Sequence, residues 1–109
     1  MNKNQCTFVG RIASVIKHAK TQNGDDYIWF MLDINAKENA NSAKANYYQK
    51  INILCFRKNI IKYLERIDAK SGSLVVVFGF VNTFTSNIKG QDVVSNGINA
   101  NEVYVVKLK

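Results

Sequence analysis

The sequence contains no proline and few of the residue types that form metal sites. It has one histidine, His18, and two cysteines, Cys6 and Cys55, which lie far apart in the chain. A zinc site would need carboxylates to complete its four ligands, and no Cys-x-x-Cys pair is present. We therefore expect no metal and no other cofactor. Both thiols lie in apolar segments, which predicts buried, reduced and unreactive cysteines of the kind found in the cytosol.

Catalytic motifs are also missing from the sequence. There is no glycine-rich phosphate loop, no Gly-x-Ser-x-Gly, and no histidine beside a nucleophile. The adjacent carboxylates Asp25-Asp26 follow Gly24, and this arrangement is typical of a turn. These absences predict a protein that is not an enzyme.

Long hydrophobic runs and acidic residues are both scarce. No apolar stretch approaches the roughly 18 residues that a membrane-spanning helix needs, and the polar residues 1–5 are not followed by the apolar segment of a signal peptide. Fifteen Lys and Arg against eight Asp and Glu give a net charge of +7. An excess of this size favours a polyanionic partner, and we expect nucleic acid rather than a membrane surface.

With 109 residues, 47% of them hydrophobic, the chain can build one core but not two. We therefore expect a single domain over residues 1–109. The small, polar stretch 36–46 predicts a mobile loop tip. Alternating or β-branched apolar residues predict five strands, at 6–12, 27–35, 48–56, 74–81 and 103–108, with 93–94 as an earlier piece of the last.

One helix is predicted between the third and fourth strands. Apolar residues recur there at i, i+3, i+4 and i+7, namely Ile60, Tyr63, Leu64 and Ile67. Asn59 stands at the expected N-cap, and Ser71-Gly72 is expected to stop the helix. The order β-β-β-α-β-β is that of the five-stranded OB barrel, so we predict an all-β fold with one helix. A closed barrel also removes the strand edges that would otherwise be exposed.

Several short segments carry a family resemblance. They are Phe8-Val-Gly-Arg-Ile12, Thr21-Gln-Asn-Gly24, Ile51 to Lys58 with Tyr63-Leu64, Gly72-Ser-Leu-Val75 with Gly79, Gly90-Gln91, and Ala100-Asn-Glu-Val103. In order and spacing they resemble the bacterial single-stranded-DNA-binding proteins over nearly the whole chain. The resemblance implies an OB fold and sequence-independent binding of single-stranded DNA in replication, recombination or repair. It further implies a cytoplasmic, nucleoid-associated protein that forms a dimer or tetramer through its first strand and outer sheet faces.

The resemblance is incomplete at the end of the sequence. Members of that family usually carry a Gly/Pro-rich tail whose acidic tip recruits other replication proteins, whereas this sequence ends in the basic segment 105–109. A tailless, basic relative is the OB protein of replication-restart primosomes. The alternative function is therefore an accessory or primosomal subunit that acts mainly through contacts with a helicase, primase or polymerase.

Aromatic residues on the outward sides of the predicted strands are the candidates for base stacking. In the second strand, Phe30 and its alternating apolar neighbours suit the core, which turns Tyr27 and Trp29 outward; the alternative is that Trp29 packs under a loop or in a subunit interface. In the third strand, Tyr48 and Phe56 share the outward side, and the resemblance implies stacking at or near Phe56. Phe84, expected on the loop of a hairpin at 82–90 between the last two strands, is the fifth candidate. Stacking suits a binder without sequence preference because every base has a flat face.

Basic residues near these aromatics are the candidates for phosphate contacts, although each could equally be an ordinary solvated surface charge. Those selected are Arg11, Lys17, Lys20, Lys50, Arg57, Lys58, Lys62 and Lys89. Asp33 shares the outward side of the second strand and would repel phosphate.

The fourth predicted strand is apolar on both sides. Phe78 and Phe80 alternate with Val75, Val77 and Gly79, and Val76 shares their side. An apolar outer side on a small domain is usually covered. We therefore expect Val76, Phe78 and Phe80 to form a subunit or partner interface, with base stacking by the two phenylalanines as the alternative.

Overall fold

The computed structural model describes residues 5–34 and 50–109. Its elements are β1 (Gln5–Ile12), β2 (Lys17–Lys20), β3 (Asp26–Asp33), β4 (Lys50–Cys55), α1 (Lys58–Arg66), β5 (Leu74–Ile88) and β6 (Gln91–Lys107). Within these two ranges, no helix has both the length and the apolar character needed to cross a membrane. The predicted loop tip at 36–46 and the candidate Tyr48 lie outside the described residues.

The strands form one sheet that closes on itself. Its order is β1-β5-β6-β4-β3-β2, and β1 also pairs with β3 through Arg11↔Asp33 and Ile12↔Leu32. The pairing of β4 with β6 is parallel and all the others are antiparallel. The predicted all-β OB barrel with a helix before its last two strands is confirmed. The additional strand β2 was not predicted, because its Lys-His-Ala-Lys sequence has no apolar alternation.

The alternation of β3 places one side of the strand in the core and the other outside. Ile28, Phe30 and Leu32 are at most 1% exposed, whereas Tyr27 and Trp29 are only partly buried. Because successive side chains of a strand point to opposite sides and only one side lines a barrel, the predicted orientation of β3 is confirmed. Other strands and the helix contribute further buried residues to the same core, including Ile12, Ile53, Cys55, Leu64, Val75, Val77 and Val103.

The helix begins and ends earlier than predicted. Its N-cap is Arg57, which makes no side-chain capping bond, rather than Asn59. It stops after Arg66, because Asp68 adopts φ 58° and the Ala69 amide donates to the Leu64 carbonyl. The predicted N-cap and the predicted stop at residues 71–72 are therefore wrong. Burial of the apolar side of the helix, including Ile60 and Leu64, sets its limits more strongly than capping chemistry does.

The segment 82–90 lies in a hairpin, as predicted, but most of it is strand rather than loop. Strand β5 continues to Ile88 and pairs with β6 as far as Gln91. The turn consists of Lys89 and Gly90, with φ 52° and 83°, and positive φ at both positions is typical of the type I′ hairpin turn. The predicted place of Phe84 in the hairpin is thus confirmed, but its place in a loop is wrong, since its backbone pairs with Ser95 inside the ladder.

Gly79 lies where β5 approaches β6 most closely. A Cβ atom at this position would lie 2.4 Å from the carbonyl oxygen of Asn99 and 2.9 Å from a methyl group of Ile98. The register between the two strands also shifts between Phe78 and Gly79. Only glycine fits this approach without moving backbone.

The two cysteines differ in environment, and they form no disulfide with each other. Cys55 is fully buried, and this burial raises the pKa of its thiol, as predicted for an unreactive residue. Cys6 is only partly buried, so the prediction of burial is wrong for this residue. It lies near the beginning of β1, before the core residues of that strand.

Candidate nucleic-acid interface

The outward residues of β2, β3 and β4 form one continuous surface, which we call the outer face. In register, Trp29 lies between Lys17 of β2 and Leu54 of β4. Residues directly opposite in antiparallel strands point to the same side of the sheet. The outer face therefore comprises Lys17, Ala19, Tyr27, Trp29, Met31, Asp33, Lys50, Asn52 and Leu54, followed by Phe56 just after β4.

Two predicted stacking residues are in contact on the outer face. The rings of Tyr27 and Phe56 are stacked, with centroids 5.0 Å apart and an interplanar angle of 28°. Phe56 remains 36% exposed. The two stacked rings together form a continuous aromatic surface at this end of the outer face.

Trp29 has a positive charge over its ring. The ammonium nitrogen of Lys17 lies 5.1 Å from the ring centroid, which is the geometry of a cation–π contact. The indole is partly buried in the sheet surface. Lys17 and Trp29 together place a positive charge next to a flat aromatic ring.

The negative charge of Asp33 on the outer face has positively charged residues on both sides. Its register partners are Arg11 of β1 on one side and Lys50 of β4 on the other. The negative charge is thus flanked by two cations at one end of the outer face, so the repulsion of phosphate expected from Asp33 is reduced. The side chain of Arg11 also donates a hydrogen bond to the Gly72 carbonyl at 2.9 Å.

The other predicted phosphate contacts occupy three different places. Lys20 donates a hydrogen bond to Asp26 at 2.6 Å, and this bond lowers the pKa of Asp26. The beginning of α1 carries three exposed cations, with Arg57 at the N-cap and Lys58 and Lys62 in the first turns. Lys89 lies in the turn of the β5–β6 hairpin.

Strand β2 brings residues to this region that sequence reasoning missed. His18 lies in β2 opposite Ile28 and 3.6 Å from Glu65 of the helix. Ala19 lies opposite Tyr27. Their role depends on the pairing of β2 with β3, for which the local sequence carries no signal.

A second surface of the barrel is apolar, and we call it the apolar face. Its apolar members are the outward residues Val9, Val76, Phe78, Phe80 and Tyr104 of β1, β5 and β6, and the register also places Thr7 and Glu102 beside Phe78. Val9 is 56% and Tyr104 is 49% exposed. The rings of Phe78 and Tyr104 meet edge to face with centroids 5.9 Å apart. The three residues selected as an interface therefore lie together on one outward surface.

Comparisons with known proteins agree on one group. The model of the single-strand binding protein family matches residues 3–106. The mitochondrial single-stranded DNA binding protein of S. cerevisiae has a TM-score of 0.75 at 16% identity, with 100% of this chain and 99% of that chain covered. The SSB of Plasmodium falciparum, solved as a complex with ssDNA, has a TM-score of 0.69 at 17% identity, with 100% and 97% covered.

A third solved structure is a dimer. The N-terminal domain of PriB from Thermoanaerobacter tencongensis has a TM-score of 0.67 at 14% identity, with 96% of this chain and 98% of that chain covered. No curated protein matches the chain. At these identities the three structures establish the fold, and the fold agrees with the closed barrel described above.

Proposed function

We propose that this chain, which belongs to the single-strand binding protein family, binds single-stranded DNA without preference for base sequence. The family membership confirms the resemblance found in the sequence. The proposal extends from the family to a mechanism, in which bases stack on the outer face and phosphates contact the cations around it.

The arrangement of rings and charge on the outer face is the observation that carries this proposal. Trp29 lies under the ammonium group of Lys17, and Tyr27 stacks on Phe56. Stacking on such rings contributes about 1–3 kcal/mol per base regardless of base identity. Each phosphate that is neutralised on a single strand adds about −0.7 to the slope of log K against log salt.

Titration with oligo-dT tests the proposal. Trp29 is the only tryptophan, so its fluorescence reports on the outer face alone. We expect strong quenching that weakens steeply as salt is raised, because both stacking and phosphate contacts contribute. A duplex of the same length is the control, since its paired bases cannot lie on the rings. Absence of quenching at moderate salt would contradict the proposal.

Such a protein would serve replication, recombination or repair by coating exposed strands and preventing their re-pairing. It would bind rather than transform its ligand, so it has no turnover to explain. Replication proteins that act on the same strands are its expected partners.

The apolar face favours a second candidate function. An accessory or primosomal subunit would use Val76, Phe78 and Phe80 to dock a helicase, primase or polymerase, and its own DNA binding would be weak. The two functions differ in the titration above, since only the first requires strong and salt-sensitive quenching of Trp29.

Self-association through the apolar face is the assembly that we favour. Phe80→Glu places a charge among the outward apolar residues of β5, and burying this charge between subunits would be unfavourable. We therefore expect light scattering to give a lower oligomeric mass for the variant than for the wild type. Val15→Glu is the matched control, because Val15 is 71% exposed and lies outside this face. If Phe80→Glu keeps the wild-type oligomeric mass, the interface lies elsewhere.

A further inference from the structure

A cavity of about 430 Å3 opens beside the outer face, between β2, the start of β3 and helix α1. Tyr27 belongs to both features, because its ring stacks on Phe56 and its side chain also lines the cavity. The volume falls within the range of roughly 300–1,000 Å3 that is typical of sites for small ligands. A strand lying on Tyr27 therefore has a recess directly next to it.

Helix α1 supplies positive charge to the rim of this cavity. Lys58 and Lys62 both line it, and their spacing of four residues puts them on the same side of the helix. Both are exposed. Among residues 5–34 and 50–109, neither lysine lies within ion-pair distance of a carboxylate.

The two acidic residues of the rim already have partners. Asp26 accepts a hydrogen bond from Lys20, and Glu65 lies 3.6 Å from His18. The bond from Lys20 lowers the pKa of Asp26, and the charge of Lys58 contributes to the same shift. The hydrogen bond of Asp26 thus goes to Lys20 and not to Lys58 or Lys62, so the ammonium groups of the two helix lysines can still contact an anionic ligand.

The interior of the cavity is suited to a base. Ile61 is 8% exposed and lines the cavity together with Ala19 and Tyr27. A flat aromatic ring, an aliphatic side chain and two lysines at the rim are complementary to a base with its phosphate. We infer that this cavity is a subsite for one nucleotide of the bound single strand, with its base against Tyr27 and Ile61 and its phosphate between Lys58 and Lys62.

The inference rests on the proposed function and extends the path of the strand from the sheet to the helix. The first test is the double variant Lys58→Gln/Lys62→Gln, measured by the anisotropy of labelled oligo-dT over a range of salt concentrations. For each phosphate that is no longer neutralised, we expect a salt slope that is shallower by about 0.7 and binding about fivefold weaker near 0.1 M salt. Lys107→Gln, an exposed lysine away from the cavity, is the control and should keep the wild-type slope.

The second test fills the cavity without changing any charge. Ala19→Leu should weaken binding at least about fivefold, because the larger side chain fills the space that the base would occupy and its stacking is lost. The salt slope should stay the same, because no charge changes. Val106→Leu adds bulk at an exposed residue of β6 that does not line the cavity, so this control should bind like the wild type. Thermal melting checks that each variant is folded.

The outcomes separate the subsite from the proposed function. Suppose that oligo-dT quenches Trp29 of the wild type as expected, and that Lys58→Gln/Lys62→Gln and Ala19→Leu both bind with wild-type affinity. The subsite is then refuted, whereas the proposed binding of DNA on the outer face is not. If the wild type itself does not bind oligo-dT, both ideas fail together.

Discussion

Replacing Trp29 with alanine is expected to weaken binding of oligo-dT about 30-fold, which corresponds to about 2 kcal/mol of lost stacking. Lys17 loses the ring beneath it but keeps its charge, so we expect little change in the salt slope. The substitution removes the only tryptophan, and the measurement is therefore the anisotropy of a labelled oligonucleotide. Combined with Phe56→Ala, the expected loss is about a thousandfold, provided that the two rings act independently.

Trp29→Phe is the control for this prediction. It retains a flat ring at the same place in β3, so its affinity should stay within about threefold of the wild type. Equal binding by the wild type, Trp29→Ala and the double variant would show that bases do not stack on the outer face. The proposed mechanism would then be wrong, although the fold would be unaffected.

Replacing Phe30 with alanine is expected to lower the free energy of unfolding by about 3–5 kcal/mol, because a large core side chain leaves a cavity. Phe30 is 0% exposed and is the largest of the fully buried side chains. Small domains are stable by only about 5–15 kcal/mol in total, so the variant should be close to unfolding. Urea denaturation followed by circular dichroism measures the change.

Trp29→Ala serves as the matched control for Phe30→Ala. The two residues are adjacent in β3, yet one points outward and the other inward. We expect Trp29→Ala to change the midpoint of urea denaturation far less than Phe30→Ala. Similar losses of stability in the two variants would mean that Trp29 belongs to the core, and this would remove it from the binding surface.

This pair of predictions separates affinity from stability along one strand. Because side chains of a strand alternate with a period of two, a shift of one residue in the register of β3 would exchange the two roles. The pairing of Phe30 with Ile53 and of Trp29 with Leu54 fixes that register in the barrel. The proposed binding surface therefore depends on the packing of the core behind it.

Much of the candidate interface could be predicted from the sequence. The apolar alternation of β3 already distinguished Phe30 from Trp29, and the pattern up to Phe56 indicated a ring on the same side as Lys50. The contact between Tyr27 and Phe56 could not be predicted, since it depends on the lateral pairing of β3 with β4. The length of the strands before the turn at Lys89 depended in the same way on how far β5 and β6 pair.

By itself, the sequence determined which side of each strand enters the core, the excess of positive charge, and the order of strands and helix that is typical of an OB barrel. These properties depend on residues close to one another in the chain, through periodicity and composition. Only the tertiary structure decided the strand character of β2, the length of the β5–β6 hairpin, and the cavity between β2 and α1. Each of these arises where a segment with a weak local preference meets a distant partner, and the free energy of that contact outweighs the local preference.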